Sequence, residues 1–179
     1  MSERARYEQA LRFAREKHKG QFRIGGDEYI THPMAVAEIV KRQGYGIDIQ
    51  ITALFHDLLE DTDAKESEIL KFGNEEILKA VKLLTKQKGY DMAEYVAGIR
   101  QNEIAFAVKA ADRLHNLRCA FACDEDFKRR YILETVDWYL DFSPEIPKAV
   151  KKLAQSLDKP IADLPFLYEP VETWKINKI

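Results

Sequence analysis

The sequence predicts an all-α chain folded as a compact multi-helix core. Three observations carry this reading. Apolar residues recur at helical spacing through nearly every segment, no stretch alternates as a half-buried strand would, and no internal repeat marks a solenoid. A hydrophobic fraction of 46% suffices for a core, and 32% charge suits a well-solvated surface. At 179 residues the chain fits one domain.

The elements follow in order. Residues 3–18 place Tyr7, Ala10, Leu11, Ala14 and His18 on one stripe, as an amphipathic first helix would. The polar, glycine-containing run GQFRIGGDEYI reads as a loop. Thr31 is expected to cap a second helix from about His32 to Gln43, with Pro33 in its first turn and Gly44-Tyr45-Gly46 as its stop. Asp48 is expected to cap a third, with Ile51, Leu54, Phe55, Leu58 and Leu59 facing the core and the helix running on through Asp61. Asp63 and Glu66 suggest a capping box for a short helix ending at Gly73. Asn74 caps the next, to about Thr85.

Residues 86–90 form a polar connector, and 91–101 and 102–122 read as two helices. Asp124 caps another, to about Leu140, and Ser143-Pro144 opens the last major helix, ending near Leu157. From Lys159 on, prolines and aromatics predict an irregular strap. Residues 18–119 thus hold the motif-bearing core, and 124–179 the C-terminal helices and tail.

Composition narrows the function classes. A net charge of −2 gives no global attraction to nucleic acid or anionic membrane. No apolar run is long enough to span a bilayer, and the charged N-terminal segment lacks the apolar core of a signal peptide. The expected location is the cytoplasm. Cys119 and Cys123 lie four apart in one helical stretch with no second pair to complete a structural zinc site, so they are read as reduced thiols in a reducing compartment.

Four residues in three places carry the chemistry: His32, the adjacent His56-Asp57, and Asp112. Two imidazoles and two carboxylates form a mixed nitrogen and oxygen ligand set for one divalent metal. Each sits within a helical, otherwise apolar pattern, where an uncompensated charge costs on the order of several kcal/mol. In ALFHDLLED, His56 and Glu60 share one face of a helix, as do Asp57 and Asp61, opposite the leucines. Alone, each has an ordinary reading: a helix-end histidine, an ion-pair partner, or a solvated acidic helix end. Together they point to metal-assisted hydrolysis of a phosphate ester.

The stretches HKGQFRIGGDEYITHP, LFHDLLEDT and KAADRLHNLR, in this order, resemble the HD superfamily of metal-dependent phosphohydrolases. Within it they are most similar to the alarmone hydrolase domain of RelA/SpoT proteins and its small stand-alone relatives. The resemblance covers residues 18–119, and the chain length resembles the stand-alone enzymes, with no synthetase domain expected downstream.

The resemblance implies that His32, His56, Asp57 and Asp112 hold one ion, typically Mn²⁺. It implies that Glu60 and Asp61 orient or deprotonate the attacking water, and that the substrate is ppGpp or pppGpp, cleaved to GDP or GTP and pyrophosphate. Arg23 matches an arginine of the family motif that could stack on a base or pair with phosphate. Tyr29 could line the same pocket or fix the loop to the core. Asn116 matches a substrate-contacting asparagine, while Lys109 and Arg118 could neutralise phosphate or sit solvated at the surface. Arg113 and His115 are read as support for their helix, and His18 as a helix-end residue. The expected partner is a small nucleotide, with neither nucleic acid nor membrane. Three positions depart from the family pattern: Ile24 replaces a lysine, Glu28 a proline and Cys119 a threonine. They leave open an alternative, an HD phosphohydrolase acting on another nucleotide or phosphorylated metabolite.

Overall fold

A computed structural model describes residues 1–174. Ten α-helices run through them: α1 Glu3–Lys17, α2 Thr31–Arg42, α3 Ile47–Phe55, α4 Leu58–Asp61, α5 Glu66–Phe72, α6 Glu75–Leu84, α7 Met92–Arg100, α8 Glu103–Cys119, α9 Glu125–Trp138 and α10 Glu145–Gln155. Among the described residues there is no β-strand, only an isolated antiparallel bridge between Phe22 and Glu28. The chain groups into two compact units, residues 1–112 and 113–179. None of the described helices is long and apolar enough to cross a membrane.

In the first unit α3 is the central element, packed by α1, α2 and α6. Five consecutive residues, Ile51 to Phe55, are fully buried. A helix apolar on every side can be stable only where neighbours cover it all round. Each large side chain buried this way contributes roughly 1.5–3 kcal/mol. Phe13 of α1 meets Phe55 edge-on at 5.5 Å between ring centroids and stacks on Phe72 of α5 at 4.5 Å, tying three helices together.

Several helix starts differ from the expected caps. Thr31 does not accept from its helix; its hydroxyl donates to Glu28 O (2.7 Å), and Ile30 occupies the cap position. Gly46, not Asp48, precedes α3. Asp48 instead ties distant segments, accepting from Arg6 and from Asn74, both at 2.7 Å. The reciprocal bond expected from Glu66 comes from Glu68, which accepts from Lys65 N at 3.0 Å. At Asp48 long-range donors take the carboxylate, while at Thr31 a carbonyl three residues upstream takes the hydroxyl proton. Asn74, Asp91 and Asp124 do cap α6, α7 and α9.

The loop between α1 and α2 turns on Gly25 and Gly26, at φ +118° and +95°, a region that side chains with a Cβ avoid. Arg23 N to Asp27 O and Tyr29 N to Gln21 O, both 2.9 Å, close it.

In the second unit α10 packs against α9, and the short 3₁₀ turns Pro165–Tyr168 and Val171–Thr173 lie along α10. The expected strap is therefore a packed segment. Ile161 N donates to Tyr168 Oη (2.8 Å), and Phe166 meets Trp174 edge-on at 5.1 Å. Arg113 is buried with its guanidinium 4.3 Å from the Tyr131 ring and 4.1 Å from the Tyr139 ring, bonding Glu134 Oε1 at 2.6 Å. Its expected supporting role is realised as a buried cation between two aromatic faces.

Candidate metal centre

The sequence run ALFHDLLED does not form one helix. α3 ends at Phe55, His56 and Asp57 occupy a turn, and α4 begins at Leu58. His56 Nδ1 lies 2.8 Å from Ala53 O, and as a donor to that carbonyl it leaves the Nε2 lone pair free to face inward. Asp57, at φ −99° and ψ −3°, turns its carboxylate to the same side. The break thus allows adjacent residues to aim at one point, which an unbroken helix would prevent by rotating them about 100° apart.

His32, second in α2, and Asp112, in α8, complete the set. His32 Nε2 lies 3.2 Å from Asp112 Oδ1 and 3.7 Å from Asp57 Oδ2. His56 Nε2 lies 2.9 Å from Asp57 Oδ2 and 3.9 Å from Asp112 Oδ1. Ligand atoms of His32, His56 and Asp57 lie within 4.8 Å of one another. Neighbouring ligands on bonds of about 2.1 Å stand roughly 3–3.5 Å apart, so the spacings of 2.9 and 3.2 Å suit a single small cation and those of 3.7 and 3.9 Å are slightly longer.

The electrostatics point the same way. His56 Nε2 is buried and, although close to Asp57, has no directed hydrogen bond. Burial works against charge on His56, yet the Asp57 and Asp112 carboxylates outweigh it and lift its pKa to about 9. Burial would raise Asp57, but the facing His56 charge holds it down, to about 2. Asp112 is likewise held well below the usual carboxylate range against its burial, by Lys109 and the two histidines. His32 is pushed down by burial, which outweighs the neighbouring carboxylates. Two carboxylates, Asp112 buried and Asp57 half-buried, therefore favour positive charge between the rings. A divalent cation would supply it while leaving both imidazoles neutral, as ligands must be. His32, His56, Asp57 and Asp112 could together hold one.

Tyr29 sits at the edge of this cluster. Its hydroxyl oxygen lies 2.8 Å from Asp57 Oδ2 and 3.2 Å from Asp61 Oδ2. The hydroxyl has one proton, so it donates to one carboxylate while the other needs water or a proton of its own. Burial and these carboxylates raise the tyrosine pKa, and Asp61 is raised by burial and then by the Asp57 charge. Behind Tyr29, His18 packs ring on ring at 4.8 Å, with Nδ1 2.7 Å from Gln21 Oε1. Gln21 Nε2 in turn donates to Asp61 O at 2.6 Å. His18 is 2% exposed. It is the C-cap of α1, as expected of a helix-end residue, and it also belongs to the framework that holds Asp61. The signal for that second role was its place at the end of the apolar stripe of residues 3–18.

The remaining predicted residues divide. Arg23 lies with its guanidinium 5.9 Å from the Tyr29 ring, on the loop beside the cluster. Ile24 is 72% exposed there. Glu60 accepts from Lys86 N at 2.8 Å, so its carboxylate is engaged with the segment after α6. Lys109 pairs with Asp112 Oδ2 at 3.0 Å. Asn116 is half-buried, and Arg118 lines a groove within the second unit. Cys119 is exposed and Cys123 half-buried.

Comparison with known proteins gives a consistent result. A family model described as an HD domain matches residues 10–143. The GTP pyrophosphokinase rsh of Brucella melitensis is 33% identical over 174 residues, 91% of this chain and 22% of its own length. The bifunctional (p)ppGpp synthase/hydrolase SpoT of Escherichia coli K12 is 34% identical over 145 residues, 75% of this chain and 21% of its own length. The chain therefore spans about a fifth of the length of these relatives. Among solved structures, a metazoan SpoT ortholog described as hydrolysing ppGpp superposes with a TM-score of 0.69 at 21% identity, covering 84% of this chain and 94% of that one, a likeness of fold.

Proposed function

Because the chain belongs to the HD-domain family, we propose that it is a divalent-metal-dependent (p)ppGpp 3′-pyrophosphohydrolase, with Mn²⁺ as the ion. The observation that carries the reading is the convergence of His32, His56, Asp57 and Asp112 around a point that favours positive charge, with Asp61 joined to Asp57 through one hydroxyl. The relatives of this chain include a bifunctional (p)ppGpp synthase/hydrolase. One HD domain over residues 1–179 is part of this reading, and the family match over residues 10–143 supports it.

In this reading His32, His56, Asp57 and Asp112 would hold the cation, which when bound would lower the pKa of water and polarise a phosphoryl oxygen. Asp61 accepts the proton of the attacking water. Its raised pKa brings it nearer the operating pH, where a general base is most effective. Tyr29 and Gln21 hold that carboxylate in place. Glu60 anchors the segment at Lys86 and flanks the reacting water. Lys109 fixes the outer oxygen of Asp112. Hydrolysis splits the bond between the ribose 3′ oxygen and pyrophosphate, water supplying oxygen to the phosphorus and a proton to the leaving oxygen. Arg23, spread over the Tyr29 ring, pairs with phosphate or stacks on the base, and Asn116 bonds to ribose. The compartment in this reading is the cytoplasm, and the partner is a small nucleotide rather than a nucleic acid.

Ile24 favours a second reading. An exposed apolar residue stands where the resembled family carries a cation, which suits a substrate with fewer phosphates. Product analysis separates the two. Metal-free protein incubated with ppGpp is expected to release GDP and pyrophosphate only after Mn²⁺ is added. Turnover of other nucleotides to inorganic phosphate, with ppGpp untouched, would establish the second reading in its place.

A further inference from the structure

The second unit contains a groove that the hydrolase reading does not use. It encloses about 250 Å³ between the C-terminal end of α8 and one face of α10. Leu114, Leu117 and Phe121 form its floor, and Phe121 is 47% exposed. Three cations, Arg118, Lys148 and Lys152, and one acid, Glu145, stand around it.

Several cations of this unit are tied down: Arg113 to Glu134, Lys128 to Glu125, and Lys151 to Glu169 O. Arg118, Lys148 and Lys152 enter no ion pair among the described residues. Lys148 and Lys152 stand four apart on α10, where like charges repel, and an anion between them would reverse that sign. Three unpaired cations beside an exposed phenyl ring are the complement of an anion with a flat apolar body.

We propose that this groove binds a mononucleotide bearing an exocyclic amine, its base against Phe121 and Leu117 and its phosphate among Arg118, Lys148 and Lys152. Charge along α10 sets the direction. Glu145, Lys148 and Lys152 follow one another over about 10 Å of helix, an acceptor for the amine at one end and cations for the phosphate at the other. The volume sets the size, since about 250 Å³ lies at the small end of ligand pockets and suits one base, one sugar and one phosphate. The proposal stands on this groove alone and is independent of the metal centre.

The test is titration calorimetry of the full chain with AMP and GMP in the presence of a chelator, so that the metal centre contributes nothing. Saturable binding is expected, weakened roughly tenfold or more in Lys148→Ala/Lys152→Ala, where charge-assisted bonds to phosphate are lost. Phe121→Ala should weaken it too, and His32→Ala should leave it unchanged. The lysines are exposed, so the double variant should keep the wild-type circular dichroism spectrum. Absence of saturable binding, equal affinity in the lysine variant, or equal affinity for inorganic phosphate would each overturn the proposal. So would loss of binding in His32→Ala, which would place the nucleotide at the metal centre. Whether ppGpp is hydrolysed bears on neither outcome.

Discussion

Replacing Tyr29 with phenylalanine removes one oxygen at the junction of Asp57 and Asp61 and leaves the ring. The ring contacts with His18 at 4.8 Å and with the Arg23 guanidinium at 5.9 Å persist, so the loop keeps its anchor. Asp57 Oδ2 still has His56 Nε2 at 2.9 Å, and Asp61 is exposed enough for water to replace the lost partner. The cost to folding is therefore small, on the order of 1 kcal/mol. The cost to catalysis is larger, because the hydroxyl restrains the orientation of the carboxylate that takes the proton. A hydrogen bond to a charged group contributes about 1.5–3 kcal/mol. Expressed in the transition state, that is roughly a 10–100-fold fall in kcat at saturating metal. The assay is kcat and KM for ppGpp, with Mn²⁺ affinity measured in parallel. A kcat within about twofold of wild type would refute the positioning role. A raised KM at unchanged kcat would instead make Tyr29 a substrate contact, the role its sequence position first suggested.

Other outcomes follow from the same geometry. Adding Mn²⁺ to metal-free protein at about 100 times its Kd should stabilise the fold by roughly 2.7 kcal/mol, visible as a rise in Tm; Asp57→Ala should abolish that rise while retaining helix content, and an undiminished rise would mean the ligands are misassigned. Asp61→Asn should keep the metal-induced rise in Tm and lose about 10²–10⁴-fold in kcat, whereas loss of metal binding would make Asp61 a ligand. Arg113→Ala should destabilise the chain by roughly 2–4 kcal/mol in urea unfolding, because it empties the space between Tyr131 and Tyr139 and leaves Glu134 without its cation; a change below about 0.5 kcal/mol would contradict the burial argument.

Residues 56 and 57 show how a motif and its geometry part company. Read as one helix, the run from Ala53 to Asp61 places His56 with Glu60 and Asp57 with Asp61. The turn at His56-Asp57 changes those partners. His56 and Asp57 join His32 and Asp112, Asp61 joins Tyr29, and Glu60 is drawn to Lys86 N. A helix periodicity of 3.6 cannot register such a turn, because every residue in it keeps helical-region dihedrals. Lys109 and Arg118 illustrate the same limit. Both are cations on α8, yet one ends in an ion pair with Asp112 and the other on the wall of a groove.

The all-α class, the helix order and the identity of the four metal-competent residues were legible in the sequence, since each depends on local periodicity or on a pattern of residue types. So were the caps at Asn74 and Asp124, whose side-chain oxygens accept from Ile77 N and Phe127 N. The caps expected at Thr31 and Asp48 were not, because Glu28, Arg6 and Asn74 reach those side chains in the folded chain. The tertiary structure alone decided that Tyr29 bridges two carboxylates, that His18 and Gln21 stand behind it, and that the unpaired cations of α8 and α10 share one groove. These are relations between segments tens of residues apart. Sequence periodicity tells which face a side chain leaves by, and only packing determines what waits on the other side.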